Sequence, residues 1–120
     1  MKQKREVLDY LRDILDMMEK VQEFTQGMDL QNFVQDAKTA FAVIRALEVI
    51  GEATKHVPTA VRQRYPDIPW KRMAGMRDRL IHGYFGVDME IVWKTAVHLI
   101  PELRPQIVRV IKVERKRRNR

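Results

Sequence analysis

The chain has 120 residues, a length that suits one domain with a modest core. It contains no cysteine, which excludes disulfide bonds and thiolate metal sites and suits the reducing cytoplasm. Because no apolar run reaches membrane-spanning length and no signal-peptide core is present, the composition predicts a cytoplasmic protein without a membrane partner.

The formal net charge of +7 is unevenly distributed along the chain. Residues 1–57 hold eight Lys and Arg against ten Asp and Glu, residues 58–111 hold nine against five, and residues 112–120 hold six against one. This gradient indicates a polyanionic partner, with nucleic acid as the first candidate. A basic run is equally typical of a solvated helix end, where cations suit the helix dipole. The predicted domains are a helical bundle over residues 1–111 and a basic tail over residues 112–120.

The first predicted helix covers Arg5 to Phe24. Its apolar residues recur at spacings of three and four, as on the buried face of an amphipathic helix. The opposite side carries a row of carboxylates. Since this row lacks the inward-facing Glu and His pairs of a di-metal bundle, we interpret it as a solvated face, and less favourably as a docking face for a basic partner.

The second predicted helix runs from Leu30 to about Lys55, with Asp29 as its N-cap. One predicted apolar face consists of Phe33, Val34, Ala37, Ala40, Phe41, Ile44 and Leu47. Further apolar residues extend it most of the way around the helix, which is typical of a bundle centre or of a helix shared with a second subunit. A polar seam interrupts the apolar surface and consists of Arg45, Glu48 and Glu52. We interpret the seam as an ion pair at the rim of the core, or alternatively as support for a functional site.

Shorter helices are predicted beyond residue 57. A helix over Pro58–Tyr65 and a turn precede a strongly basic helix from Pro69 to about His82. Gly75 inside this basic helix costs roughly 1 kcal/mol relative to Ala, and it leaves room for the close approach of another helix or of the second copy in a dimer.

The C-terminal region predicts two more helices. Asp88 caps one over Met89–Leu99, and Pro101 marks the start of the last. No strand-like alternation is found in the chain. The predicted fold class is therefore all-α, an antiparallel helical bundle with two long helices and several shorter ones.

Reactive side chains are concentrated near Arg77 and His82. An unperturbed histidine titrates near pH ~6.5, so it can act as acid or base at neutral pH. A guanidinium can hold a phosphate and stabilise the charge that develops in phosphoryl transfer. Together these groups suit RNA cleavage without a metal or another cofactor. In the structural alternative, Arg77 pairs with Asp78 or Glu52, and His82 caps a helix end.

The spacing of this pair raises a geometric problem. Five residues turn a helix by about 500°, so the side chains of Arg77 and His82 diverge by roughly 140° on one helix. The problem disappears if the helix ends at Gly83, or if a second copy of the chain completes the site. The remaining histidines, His56 and His98, are interpreted as surface or cap residues, and nothing spaces them as metal ligands.

The pattern Arg77-x₄-His82-Gly83-Tyr84 resembles the Rx(4–6)HxY motif of the HEPN superfamily. Its surroundings resemble the HepT-type toxin branch of that superfamily. The similar stretches cover residues 46–53, 68–70, 75–88 and 91–93, so the resemblance extends over nearly the whole chain. The three-residue motif is weak by itself, and this context is what makes it specific.

The resemblance implies an all-helical homodimer in which two sets of Arg77 and His82 line a cleft. It implies a metal-independent endoribonuclease, with Arg77 and His82 as the catalytic pair and Asp78 and Arg79 in support. It also implies a second partner, an MntA-like nucleotidyltransferase antitoxin. This antitoxin would silence the toxin by transferring AMP from ATP to Tyr84, which defines a type VII toxin–antitoxin pair.

Two other functions stay open on the sequence alone. The chain could be a non-catalytic dimeric module that binds a nucleotide or RNA, or an adaptor for a nucleotidyltransferase, and it would then bind without cleaving. It could also bind DNA through the basic tail, in which case truncation at Lys112 should abolish binding.

Overall fold

The structure is a computed structural model that describes residues 5–80 and 87–119, without the side chains of residues 79 and 80. Its helices are α1 (Val7–Thr25), α2 (Leu30–Gln35), α3 (Ala37–Lys55), α4 (Thr59–Arg64), α5 (Trp70–Ala74), α6 (Met76–Leu80), α7 (Met89–Lys94) and α8 (Ile100–Arg118), with a π-helical stretch over Thr95–Leu99 between the last two. No strand is found within these ranges. The predicted all-α fold is confirmed.

The core of the bundle lies where α1 packs against both α3 and α8. Each of these three helices has 19 residues and buries one apolar stripe, because apolar residues recur at helical spacing. The completely enclosed side chains include Leu11, Ile14, Met18, Leu47, Ile50, Ile107 and Val110. Helix α1 matches its predicted range closely, whereas α3 is shorter than the second predicted helix. The third, α8, is longer than expected because it continues through the basic segment to Arg118; the division at residue 112 stays a prediction.

The predicted continuous helix over residues 30–55 is wrong, because the chain breaks at Asp36 between α2 and α3. The Asp36 carboxylate accepts hydrogen bonds from the backbone N–H and the hydroxyl of Thr39, at 3.1 and 2.7 Å. These hydrogen bonds hold the pKa of the Asp36 carboxyl below its usual range. An aspartate that caps a new helix in this way competes with continuation of the old one. Asp29 caps α2 as predicted, accepting from the N–H of Asn32 at 2.8 Å.

The break at Asp36 also changes which apolar residues are buried. Phe33, Ala40, Ile44 and Leu47 lie in the core as expected, whereas Val34 and Phe41 are exposed, Phe41 to 72% of its surface. The expectation of one continuous apolar face is therefore wrong at these two positions and at Ala37, which is also exposed, and a large aromatic side chain is left on the surface of α3.

The predicted helix over residues 69–82 is also divided, since Gly75 ends α5 and α6 begins at Met76. Gly75 does not provide a close approach to another helix, because a Cβ there would meet only carbonyl oxygens of its own preceding turn, and an approach by a second copy stays a prediction. The glycine at a close approach is Gly51 of α3, whose missing Cβ would lie 3.4 Å from the carbonyl oxygens of both Met73 and Ala74. A side chain-free position on α3 thus lets the α5–α6 junction pack directly on that helix.

The expected break at Pro101 does not occur. A proline ring clashes with the carbonyl four residues earlier in a regular α-helix. Here the preceding turn is π-helical, with the N–H of Ile100 bonded to the carbonyl of Thr95 five residues back. The wider turn accommodates the ring, so the chain stays helical from Met89 through Arg118. At the start of α7, Asp88 caps as predicted by accepting from the N–H groups of residues 90 and 91.

None of the helices in the described ranges is both long enough and apolar enough to cross a bilayer.

Candidate functional site

Arg77 lies on α6, and the surrounding backbone is held by buried neighbours. Met73 and Met76 are buried on either side of Gly75. Trp70 is also buried, and its indole N–H donates to the carbonyl of Tyr65 at 3.0 Å. The close contact at Gly51 completes this support. Arg77 therefore projects from a backbone that is anchored in the core, although its own side chain is half exposed.

The guanidinium of Arg77 faces Glu48 of α3, with 3.6 Å between Nε and the nearer carboxylate oxygen. This distance is too long for a hydrogen bond, so the contact is purely electrostatic. The Glu48 side chain keeps 23% of its surface exposed and that of Arg77 53%. An exposed pair of this kind contributes little to stability, and a phosphate can replace the carboxylate as the partner of Arg77.

Glu48 belongs to the polar seam singled out in the sequence, but it was not one of the two partners predicted for Arg77. The sequence offered Asp78 or Glu52 as structural partners of Arg77, whereas Glu52 instead pairs with Lys55 at 3.3 Å. The contact at Glu48 fits the interpretation of the seam as an ion pair at the rim of the core, and its support for a functional site stays a prediction. Periodicity placed Glu48 on α3 but could not show that α6 packs beside it.

The other predicted site residues are only partly visible. Asp78 is exposed on α6, next to Arg77. Arg79 lies in the same helix, and its side chain is not described. His82 and Tyr84 lie outside the described residues, so their catalytic and modification roles stay predictions.

A second charged cluster joins α4 to α8. Glu114 of α8 is 5% exposed and accepts hydrogen bonds from the Arg64 guanidinium, at 2.5 and 3.2 Å, and from the Tyr65 hydroxyl at 2.6 Å. Burial alone would raise the pKa of the Glu114 carboxyl, but these hydrogen bonds outweigh burial and lower it. Burial, followed by the bond to Glu114, raises the pKa of the Tyr65 hydroxyl. The cluster anchors the basic end of α8 and is structural.

Both remaining histidines are exposed, as predicted. His56 follows the end of α3 and stacks on Tyr10, with 4.8 Å between ring centroids. His98 lies in the π-helical stretch and lines an open cleft with Arg72 and Lys94. The sequence did not predict this cleft. Lys94 and His98 are four residues apart, so the sequence alone could have placed them on one helix face. Only tertiary packing brings Arg72 to them. No three acidic or histidine side chains of the described ranges converge as metal ligands would.

The all-α bundle and its half-exposed motif arginine are consistent with the class of HEPN-like helical domains. The family model described as ribonuclease HepT-like matches residues 14–110. Within its class, the chain therefore belongs to the HepT-like ribonuclease family. The predicted family is confirmed, and ribonuclease is the enzyme class that this membership supports.

Similar proteins come from archaea and bacteria. A probable ribonuclease HepT of Thermococcus cleftensis is 52% identical over 101 residues, which cover 84% of this chain and 92% of the relative. A candidate RNase of Methanocaldococcus jannaschii is 49% identical over 109 residues, covering 91% and 94%. A candidate RNase of Caldanaerobacter subterraneus is 42% identical over 106 residues, covering 88% and 95%. No solved structure matches the chain with significant similarity.

Proposed function

We propose that the protein is a metal-independent endoribonuclease that works in the cytoplasm as a homodimer, with Arg77 and His82 as its catalytic residues. The observation that carries this proposal is the setting of Arg77. Its guanidinium is half exposed on a well-anchored helix and has a loose electrostatic contact with one carboxylate, that of Glu48. Membership in the HepT-like family supports RNA as the substrate.

In the proposed reaction, the ribose 2′-oxygen attacks the adjacent phosphorus. A new P–O bond forms while the bond to the 5′-oxygen breaks, which leaves a 2′,3′-cyclic phosphate and a 5′-hydroxyl. An imidazole of His82 takes the proton of the 2′-hydroxyl, and an imidazolium returns one to the leaving oxygen. Arg77 stabilises the additional negative charge on the phosphorane. Asp78 and Arg79 support the site, Arg79 by adding positive potential along the strand.

The surface of α3 supports the homodimer. Phe41 precedes Glu48 by seven residues, which is about 20° short of two full helical turns, so the two side chains share one side of α3. An aromatic side chain with 72% of its surface exposed gains free energy when a partner covers it. A second copy docked on this side would bring a second Arg77 towards the first. The 140° divergence between Arg77 and His82 then becomes unimportant, because either group can come from the other subunit.

Cleavage of a labelled single-stranded RNA in the presence of EDTA tests the enzyme. We expect cleavage by the unmodified protein, and a loss of about 10²-fold or more for Arg77→Ala and for His82→Ala. Arg77→Lys should retain only part of the activity, because an ammonium cannot form the bidentate contact. Arg109→Ala, an exposed arginine on α8, is the matched control and should cleave normally.

Undiminished cleavage by both Arg77→Ala and His82→Ala would contradict the proposed roles. RNA binding without any cleavage by the unmodified protein would instead favour the non-catalytic module. Activity that EDTA abolishes and Mg²⁺ restores would contradict metal independence.

We further propose that the protein is the toxin of a type VII toxin–antitoxin pair and that an MntA-like nucleotidyltransferase silences it at Tyr84. The phenol oxygen of Tyr84 would attack the α-phosphorus of ATP, forming an O–P bond and releasing pyrophosphate. The added AMP group is bulky and anionic, so it would block the RNA cleft and offset its positive potential. The motif resemblance and the family membership support this proposal.

Intact mass measured after co-expression with a neighbouring nucleotidyltransferase tests the modification. We expect the mass to increase by whole AMP units in the parent chain and not in Tyr84→Phe, with RNA cleavage lost in parallel. An unchanged mass, or an equal increase in Tyr84→Phe, would contradict adenylylation of Tyr84.

A further inference from the structure

An open cleft lies between α5 and the helical segment that joins α7 to α8. Its volume is about 270 Å³, and its polar lining comes from Arg72, Lys94, Thr95, His98 and Glu102. Thr95 and His98 both belong to the π-helical stretch. Single π-helical turns within α-helices are found frequently at functional sites, because the extra residue displaces side chains from the regular helical face.

The cleft carries positive charge that is available to a ligand. Within the described part of the chain, Arg72 and His98 take part in no ion pair. Lys94 pairs with Glu90 at 3.2 Å, but both side chains are more than 60% exposed, so solvent screens the pair and a ligand can replace it. Glu102 supplies the opposing negative charge among the described lining residues. Among the lining residues, two cations face one carboxylate even with a neutral imidazole, and Glu90, which offsets Lys94, does not line the cleft.

We propose that this cleft binds a backbone phosphate of the RNA strand outside the cleaved bond. The chemistry indicates a phosphate, since a guanidinium holds it in a bidentate way while an ammonium and an imidazole add further donors. The volume lies just below the range of about 300–1,000 Å³ for small-molecule pockets, so a phosphate with part of its sugar fits better than a whole nucleotide. The apolar lining residues, Ile91 and Leu99, suit the ribose carbons.

The position of the cleft relative to Arg77 supports a shared strand. Arg72 and Arg77 are five residues apart on consecutive short helices separated by Gly75, so their backbones are at most about 18 Å apart. A strand held at Arg77 therefore reaches the cleft within very few nucleotides. This inference rests on the proposed ribonuclease function, and it assigns the cleft a role in holding long substrates rather than in the chemical step.

The test compares Arg72→Ala/His98→Ala with Arg109→Ala, whose exposed arginine lies on α8 and does not line the cleft. For a long single-stranded oligonucleotide we expect the double variant to raise KM about tenfold, the change that one lost charge-assisted contact produces, with kcat unchanged. For a dinucleotide, which has one phosphodiester and cannot reach the cleft, both constants should equal those of the parent. Glu102→Gln should lower KM for the oligonucleotide, a gain that misfolding cannot produce.

Binding is measured separately by fluorescence anisotropy in a His82→Ala background, so the result does not depend on cleavage. The slope of log affinity against log salt concentration should become shallower by about 0.7 for each phosphate contact that the double variant loses. ATP serves as a probe for a free nucleotide in place of the strand. The proposal would be overturned if the double variant and Arg109→Ala had equal KM values and equal salt slopes. It would also be overturned if the double variant raised KM for the dinucleotide as much as for the oligonucleotide. ATP binding that depends on Arg72 while oligonucleotide binding does not would also overturn it.

Discussion

Two glutamates show how the environment of a carboxylate determines its role in this protein. Glu114 is buried and accepts hydrogen bonds from a guanidinium and a phenol, so its charge is fully compensated inside the bundle. Glu48 is partly exposed and faces Arg77 at 3.6 Å without a hydrogen bond. Breaking the hydrogen bonds of Glu114 would leave buried polar groups unsatisfied, whereas separating Glu48 from Arg77 costs little free energy. The first cluster is therefore suited to stability and the second to exchange with a ligand.

At this scale we expect Glu114→Gln to lower the free energy of unfolding by about 2 kcal/mol, because the three charge-assisted hydrogen bonds to this buried carboxylate are lost or weakened. Urea denaturation measures this as a lower midpoint with an unchanged slope. Glu102→Gln is the matched control, since Glu102 is exposed on the same helix and its substitution should leave the midpoint unchanged. Equal midpoints for the parent and Glu114→Gln would show that the cluster does not stabilise the fold.

The same cluster predicts how stability depends on pH. The folded-state pKa of Glu114 lies below its ordinary value of 4.5, so its contribution is fully present above pH 4.5 and is lost as pH falls through the folded pKa. The folded-state pKa of Tyr65 lies above its ordinary value of 10.0, so its contribution is present below pH 10.0 and is lost at higher pH. In Glu114→Gln the loss of stability on acidification should be smaller than in the parent. An identical acid dependence of the urea midpoint in both would contradict this assignment.

Helix boundaries depend on local competition that the apolar pattern does not reveal. Asp36 ends one helix because its carboxylate caps the next. Gly75 ends another at the junction that rests on Gly51. Pro101 ends none, because a π-helical turn precedes it. These details have functional consequences, since the second break precedes Arg77 and the π-helical turn lines the Arg72 cleft.

At the scale of elements we expect the size of residue 51 to control the position of α6. Gly51→Ala should be tolerated, with a change within about 1 kcal/mol, because its Cβ meets ordinary contacts at 3.4 Å and alanine favours the helix. Gly51→Leu should lower the free energy of unfolding by about 1–3 kcal/mol, since further atoms must displace the backbone of the α5–α6 junction. RNA cleavage should fall more steeply than stability, because Arg77 moves with that backbone. Normal cleavage by Gly51→Leu would show that the close packing does not position Arg77.

The whole molecule combines a basic second half with an exposed aromatic side chain next to the site. The carboxylates concentrate in residues 1–57 and the cations beyond them, which suits a polyanionic ligand. Phe41 is the most exposed of the large apolar side chains in the described ranges, and Glu48 lies on the same side of its helix. Polyanion binding and self-association are thus expected on neighbouring parts of one surface.

We expect Phe41→Asp to convert the proposed homodimer into a monomer, because a buried, unpaired carboxylate at the interface costs far more than it does in water. Light scattering during size-exclusion chromatography measures the mass, and RNA cleavage should fall with dissociation although Arg77 is unchanged. Val113→Asp is the matched control, since Val113 is 40% exposed and lies on α8 rather than on α3. If Phe41→Asp remained a dimer, the interface would lie on another surface. If it were an active monomer, the site would not need residues from two subunits.

Much of the fold and of the candidate site could be predicted without coordinates. The all-α class, the extent of α1, the caps at Asp29 and Asp88 and the HepT-like motif around Arg77 depend on neighbours within a few residues along the chain. Helical spacing and capping are properties of that local range, so the amino-acid order contains them directly. The exposure of His56 and His98 was also predicted correctly.

Contacts between segments that are distant along the chain could be found only from the tertiary structure. Glu48 rather than Glu52 faces Arg77, Gly51 rather than Gly75 permits the close approach, and Arg72 joins Lys94 and His98 around one cleft. Each of these depends on how two helices are placed and rotated against one another, and a shift of one residue in the phase of a helix turns a side chain by about 100°. The amino-acid order was enough to predict an all-α chain and the chemistry of its motif, but not every helix boundary. Packing determined which side chains meet, because the burial of the whole core sets the angles between helices together.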